Sequence, residues 1–333
     1  MADIYQIADE HRRRLLAREQ AATGEVFAAY QAAYKRAQAE IDALIAEIAL
    51  AQSGGEELRP FWLFKKRRLS KLRRQIEREM RTFTAQASKT VKQAQAQEIE
   101  HGSADGGQLL HAQGAGGDLT VGVGVGDHLN RRAVAAGVGF ATDGSPLADL
   151  FHAVSGLAGE RIKRDLITGL TLGHPARKIA RTLKESFDGN GARALTVART
   201  ETLRAYREAT RLVYEENADV LDGWIWQSAR STRTCALCWA MSGTMHRADE
   251  TLASHPNCRC VMIPLVTGSQ QRIETGATAF ARLPRADQLS ILGARKFEAY
   301  NAGQLALAQL VGERRDQRWG LTRYERSLSE VAG

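Results

Sequence analysis

The amino-acid sequence predicts a mainly α-helical protein with a small α+β module stabilised by zinc. The expected parts are a long N-terminal helical hairpin, a helical core domain, a short antiparallel sheet and a helical C-terminal tail. Three observations predict this. Long stretches without Gly or Pro repeat apolar residues at intervals of three and four. All four cysteines fall between Cys235 and Cys260, and three short β-type runs surround them. A chain of 333 residues has room for two or three domains, and 44% apolar with only 6% aromatic residues favours helices built on Ala and Leu.

Residues 4–50 read as one helix, with Phe27, Tyr30, Tyr34, Ile41, Leu44, Ile45 and Ile48 on its apolar side and Ser53-Gly54-Gly55 ending it. A second helix from Pro60 to about Glu98 folds back on it, so residues 1–100 form a hairpin arm. The run Phe61-Trp62-Leu63-Phe64 sits at the bend, as a hairpin-end core or a docking surface. Residues 101–128 hold nine glycines and read as a linker. Gly122, Gly124 and Gly126 lack the lysine a phosphate loop needs.

Residues 129–266 form the expected core domain. Ser145-Pro146 opens a helix, Gly156 and Gly159 frame a break, and His174-Pro175 opens the next. Another break is expected at Asp188-Gly189-Asn190-Gly191, before a long helix with Leu195, Ala198, Thr202, Ala205, Ala209 and Val213 on its buried side. Strands are expected at Trp224–Ala229, Ser242–His246 and Cys260–Leu265. The tail, 267–333, reads as helices opened by Pro284 and broken at Gly293, with Trp319-Gly320-Leu321 in a docking peptide.

Cys235 and Cys238 form a C-x-x-C pair, Cys258 and Cys260 a C-x-C pair, and His255 precedes Cys258 by three. Thiolate and imidazole are the donors a tetrahedral zinc ion prefers, and each short spacing lets neighbouring side chains reach one ion. A C-x-C pair strains to present both sulfurs to one metal, so His255 competes with Cys258 or Cys260 for a place. A redox dithiol and two disulfides are the alternatives. The opening MADIYQIADEHRRRLL reads as an amphipathic helix rather than a secretory signal, which argues against disulfides. A full ligand set without an open position would stabilise the fold rather than catalyse.

The formal charge is +8, and the excess concentrates at Lys65, Lys66, Arg67, Arg68, Lys71, Arg73 and Arg74. Such a helix surface suits the phosphates of double-stranded DNA without sequence preference; an acidic protein or plain solvation are the other readings. No apolar run is long enough to predict a membrane span.

The segments Ala198-Arg199-Thr200-Glu201, G-W-I-W-Q-S-A, R-T-C-A-L-C and H-P-N-C-R-C, in this order, resemble the phage head morphogenesis family, the phage Mu F-like minor head proteins, over residues 145–266. The positions carried over are Arg199, Thr200, Glu201, Trp224, Trp226, Cys235, Cys238, His255, Cys258 and Cys260. The resemblance implies a virion protein of the head, present in host cytoplasm before assembly. It also implies association with the phage portal protein, contact with capsid or scaffold proteins, and a part in head assembly, DNA packaging or ejection. Two other classes stay open. One is a phage-associated nuclease or transferase with His246 or His255 as base, Glu201 as acid or orienting group and Arg199 as anion clamp. The other is a zinc-dependent nucleic-acid-binding module using Arg230, Arg233, Arg247 and Arg259.

Overall fold

The computed structural model describes residues 3–56, 58, 62–63, 68–114, 138–139, 145–269, 271–316 and 320–332. Four long helices come first: α1 (Ile4–Ser53), α2 (Arg68–Gly114), α3 (Leu147–Thr171) and α4 (Ala176–Glu216). They are followed by β1 (Leu221–Gln227), α5 (Ala236–Met241), β2 (Met245–His246), β3 (Val261–Val266), α6 (Gly276–Ala281), α7 (Arg285–Asn301), β4 (Val311–Asp316), β5 (Gly320–Glu325) and α8 (Leu328–Ala332). The fold is mainly α with small antiparallel sheets, and among the described residues no helix is long and apolar enough to cross a membrane.

The chain divides into two compact units that each gather distant stretches: Met1–Glu19, Ala94–Gly144 and Thr200–Gly333 in the first, Gln20–Gln93 and Ser145–Arg199 in the second. The second unit is helical and packs by rings and aliphatics. Tyr30 meets Phe83 edge-on with ring centres 5.2 Å apart, and Phe83 meets Phe151 at 6.1 Å. The Tyr30 hydroxyl donates to the Phe187 carbonyl oxygen at 2.8 Å, and Leu44, Ile48, Leu72, Ile76, Leu166 and Leu183 of the same unit are buried.

In the first unit a three-stranded sheet runs in the order β2-β1-β3, antiparallel throughout. Trp224 lies opposite both His246 and Pro264, and Trp226 opposite Met262. Strand alternation sends Trp224, Trp226 and Met262 to one face, where Tyr214, Leu237, Cys238 and Cys258 cover them. Ile225, Ile263 and Leu265 point to the other face, covered by Ile4, Ala8 and Leu109. A sheet this small is not stable alone, and burial of both faces explains how it persists.

Several expectations need correction. Residues 101–114, read as the start of the linker, are the last turns of α2. A side chain at Gly102 would come within 2.3 Å of the Tyr206 carbonyl oxygen, so glycine here permits close approach of α4 rather than a loop. The remainder of that linker, 115–128, lies outside the described residues. α3 passes through Gly156 and Gly159 unbroken, and α4 passes through Asp188-Gly189-Asn190-Gly191. In the second case Asn190 is buried and the Tyr30 ring lies against Gly191, so tertiary packing overrides local propensity.

The tail is not wholly helical. β4 and β5 pair as a hairpin with Glu313 opposite Arg323, their side chains joined at 2.9 Å. Of the expected docking peptide, Trp319 lies outside the described residues and Leu321 is exposed. Of the aromatic run at the hairpin bend, Phe61 and Phe64 lie outside them, while Leu63 is fully buried.

Candidate metal centre

Cys235 caps the N-terminus of the short helix α5, and Cys238 lies one turn on, so the helix presents both sulfurs to one side. The loop after β2 brings His255, and a turn closed by the Cys258 amide donating to the His255 carbonyl at 3.2 Å brings Cys258. Cys260 follows just before β3. Asn257 holds that turn with φ 64, a left-handed conformation that Asn tolerates better than most residues. Its amide donates to the Thr200 hydroxyl at 3.1 Å. The A-R-T-E and H-P-N-C-R-C segments, far apart in sequence, thus meet through Thr200 and Asn257.

In this structure all four cysteines are free thiols. The five donors form two groups that share Cys238: Cys235, Cys238 and His255, and Cys238, Cys258 and Cys260, with donor atoms in each group within 4.8 Å of one another. His255 Nε2 is 3.3 Å from the sulfurs of both Cys235 and Cys238, and the Cys238 and Cys258 sulfurs are 3.8 Å apart. A tetrahedral ion with metal–sulfur bonds of about 2.3 Å separates its sulfurs by about 3.8 Å. The donor set and its spacing therefore fit a structural ion of the zinc type. The other ring nitrogen of His255, Nδ1, lies 2.8 Å from the Pro256 carbonyl. Donation of Nδ1–H to that oxygen leaves the Nε2 lone pair facing the sulfurs, the orientation a ligating imidazole needs.

The electrostatics of the metal-free cluster follow from this crowding. Hydrogen bonding with Cys238, then with His255, pulls the Cys235 thiol down to about 5 against the cost of burial. Hydrogen bonds from Cys238 and Cys260 hold Cys258 well below the usual thiol range, with the Arg207 charge assisting. Burial pushes His255 down, but its sulfur neighbours, Cys235 foremost, carry it up to about 11.

Arg207, on α4, is the residue that sequence reasoning missed. Its buried guanidinium donates to the Cys260 carbonyl at 2.9 Å, the Cys258 carbonyl at 2.5 Å and the Ser254 hydroxyl at 3.1 Å, fixing the backbone of the C-x-C segment. The available signal was a charged residue beside Leu203, Tyr206 and Thr210 on a helix face that is otherwise buried.

The other predicted residues fall elsewhere. Glu201 pairs with Arg204 at 3.7 Å, and His246 is held between Thr244 (2.9 Å) and Glu250 (2.8 Å) while stacked on Trp224, with ring centres 4.3 Å apart. Arg199 belongs to the other unit. Burial, the leading influence, lowers the His246 pKa despite Glu250. These contacts give Glu201 and His246 different neighbours, Arg204 for the first and Thr244, Glu250 and Trp224 for the second.

Around the module, Arg230 is bound to Glu274 and Ser242, and Arg247 to Asp249. In the basic cluster, Lys65, Lys66 and Arg67 and the side chain of Arg68 lie outside the described residues. Lys71 pairs with Glu40 at 2.6 Å and Arg73 with Glu77 at 3.1 Å, while Arg74 is exposed.

Residues 160–263 match the family described as Phage Mu protein F like protein, a span that runs from α3 into β3 and contains all five candidate ligands. No curated protein and no solved structure matches the chain.

Proposed function

We propose that the chain, whose residues 160–263 match the family described as Phage Mu protein F like protein, is a minor head protein. In this reading it associates with the phage portal protein, contacts capsid or scaffold proteins in the virion, and assists head assembly, DNA packaging or ejection. Its Cys/His module holds one structural zinc. The observation that carries this reading is the coincidence of the matched segment with a compact thiol–imidazole cluster of tetrahedral spacing. Cys235, Cys238, His255 and Cys258 are the proposed ligands, because His255 spans the first pair and the Cys238–Cys258 separation of 3.8 Å equals a tetrahedral sulfur–sulfur edge. Cys260 then packs beside the site as a buried thiol.

Four protein ligands leave no open position for a substrate, so the ion contributes folding energy rather than chemistry. The test is co-expression with a phage portal protein, followed by size-exclusion chromatography and metal analysis. Co-elution with portal and one zinc per chain is expected. A zinc-loaded, folded chain that elutes apart from portal would overturn the portal assignment.

A further inference from the structure

Five exposed cations follow one another along α2: Arg74, Arg78, Arg81, Lys89 and Lys92. At 3.6 residues per turn they fall within about 80° of one helix face, and at 1.5 Å per residue the stripe is about 27 Å long. All five belong to the second unit. The nearest acids in sequence are occupied by other cations, Glu77 by Arg73 and Glu79 by Arg36. Arg78 donates to the neutral Gln75 at 2.7 Å, and no carboxylate pairs with any of the five among the described residues.

Solvated helix faces ordinarily mix signs at spacings of three and four, since like charges there repel. A face of one sign sustained over five turns costs stability unless something neutralises it. The stripe contains no large apolar residue; Ala85 fills its one gap, and Gln86 and Gln93 are exposed beside it. Protein partners are anchored by buried aromatic or aliphatic side chains, which this face does not offer.

We propose that the Arg74–Lys92 face of α2 binds the sugar-phosphate backbone of double-stranded DNA without sequence preference. The reading as a head protein supplies the duplex as the polyanion, and the inference rests on it in that respect only. The surface differs from the Lys65–Arg74 cluster expected from sequence: it shares Arg74 but leaves out Lys71 and Arg73, whose charges are already paired.

The experiment is a fluorescence-anisotropy titration of the full, zinc-loaded chain with a labelled duplex between 50 and 200 mM salt. It is repeated for the variant Arg74→Gln, Arg78→Gln, Arg81→Gln, Lys89→Gln, Lys92→Gln. Glutamine is a good helix former and the sites are exposed, so the variant should keep its helix content, which circular dichroism checks. The slope of log affinity against log salt should become shallower by about 4 to 5, at roughly 0.9 for each phosphate no longer neutralised. Arg81→Gln alone should change it by about 1. An unchanged slope in the folded five-site variant would overturn the proposal, as would wild-type chain that binds polyglutamate but no duplex. Portal co-elution by the same variant is a separate readout, so failure of the DNA surface and failure of the head assignment are distinguishable.

Discussion

The two units reach stability by opposite means. In the helical unit of Gln20–Gln93 and Ser145–Arg199, stability rests on many buried apolar side chains: Tyr30, Phe83, Phe151, Phe187, Leu44, Ile48 and Leu72 are all buried, with Tyr30 against Phe83 and Phe83 against Phe151. In the other unit, a seven-residue strand, a six-residue strand and a two-residue strand add to the apolar cover of their faces a few convergent contacts: the Cys/His cluster, the Arg207 clamp and the Trp224–His246 stack. Distributed packing absorbs a single loss by relaxing around it. A point-supported module does not, because removing one partner leaves buried polar groups facing nothing.

Arg207→Met should produce the larger effect. Methionine keeps much of the volume but leaves the carbonyls of Cys258 and Cys260 and the Ser254 hydroxyl without their donor. We expect a loss of about 3 kcal/mol and about 10- to 100-fold weaker metal binding, read by denaturant melts and chelator competition. Unchanged metal affinity would remove Arg207 from the site's support. Tyr30→Phe in the helical unit deletes only the hydrogen bond to the Phe187 carbonyl. It should cost about 1 kcal/mol and leave zinc content untouched, so a variant that sheds metal would break the contrast.

The smallest effect concerns pH. Burial holds His246 neutral, with a pKa below its ordinary 6.5. A group whose folded pKa is depressed contributes stability that is present above the unfolded value and lost as pH falls through the folded one. The wild-type chain should therefore lose a fraction of a kcal/mol as pH drops below about 6.5, and His246→Gln should flatten that part of the profile. Identical profiles in urea melts from pH 5 to 8 would show that His246 does not titrate there.

Sequence reading recovered what depends on local pattern. The period of α1, the cysteine spacing and the strands at Trp224 and Val261 are all written in neighbouring residues. It failed where a residue's meaning came from a distant contact. Gly102 looks like a linker glycine until Tyr206 is found against it, and Gly191 looks like a helix end until the Tyr30 ring is placed. The β4 stretch reads as helix because Leu310 and Val311 continue an apolar series, and the β5 stretch falls in the expected docking peptide, while the pairing of Glu313 with Arg323 exists only once the hairpin forms. At the site the donors were legible, but their support was not: Arg207 lies 51 residues before Cys258 along the chain.

The central claim is that one zinc supports the Cys/His module while helical packing alone supports the other unit. The most direct measurement is hydrogen exchange by mass spectrometry on the full chain with and without a zinc chelator, with the metal released counted at the same time. The account predicts one zinc per chain. On its removal, protection should collapse over β1, α5 and β3, since structural zinc supplies on the order of 10 kcal/mol, and the α3 helix with the first turns of α4 should remain protected. Equal protection of the module with and without metal would contradict it.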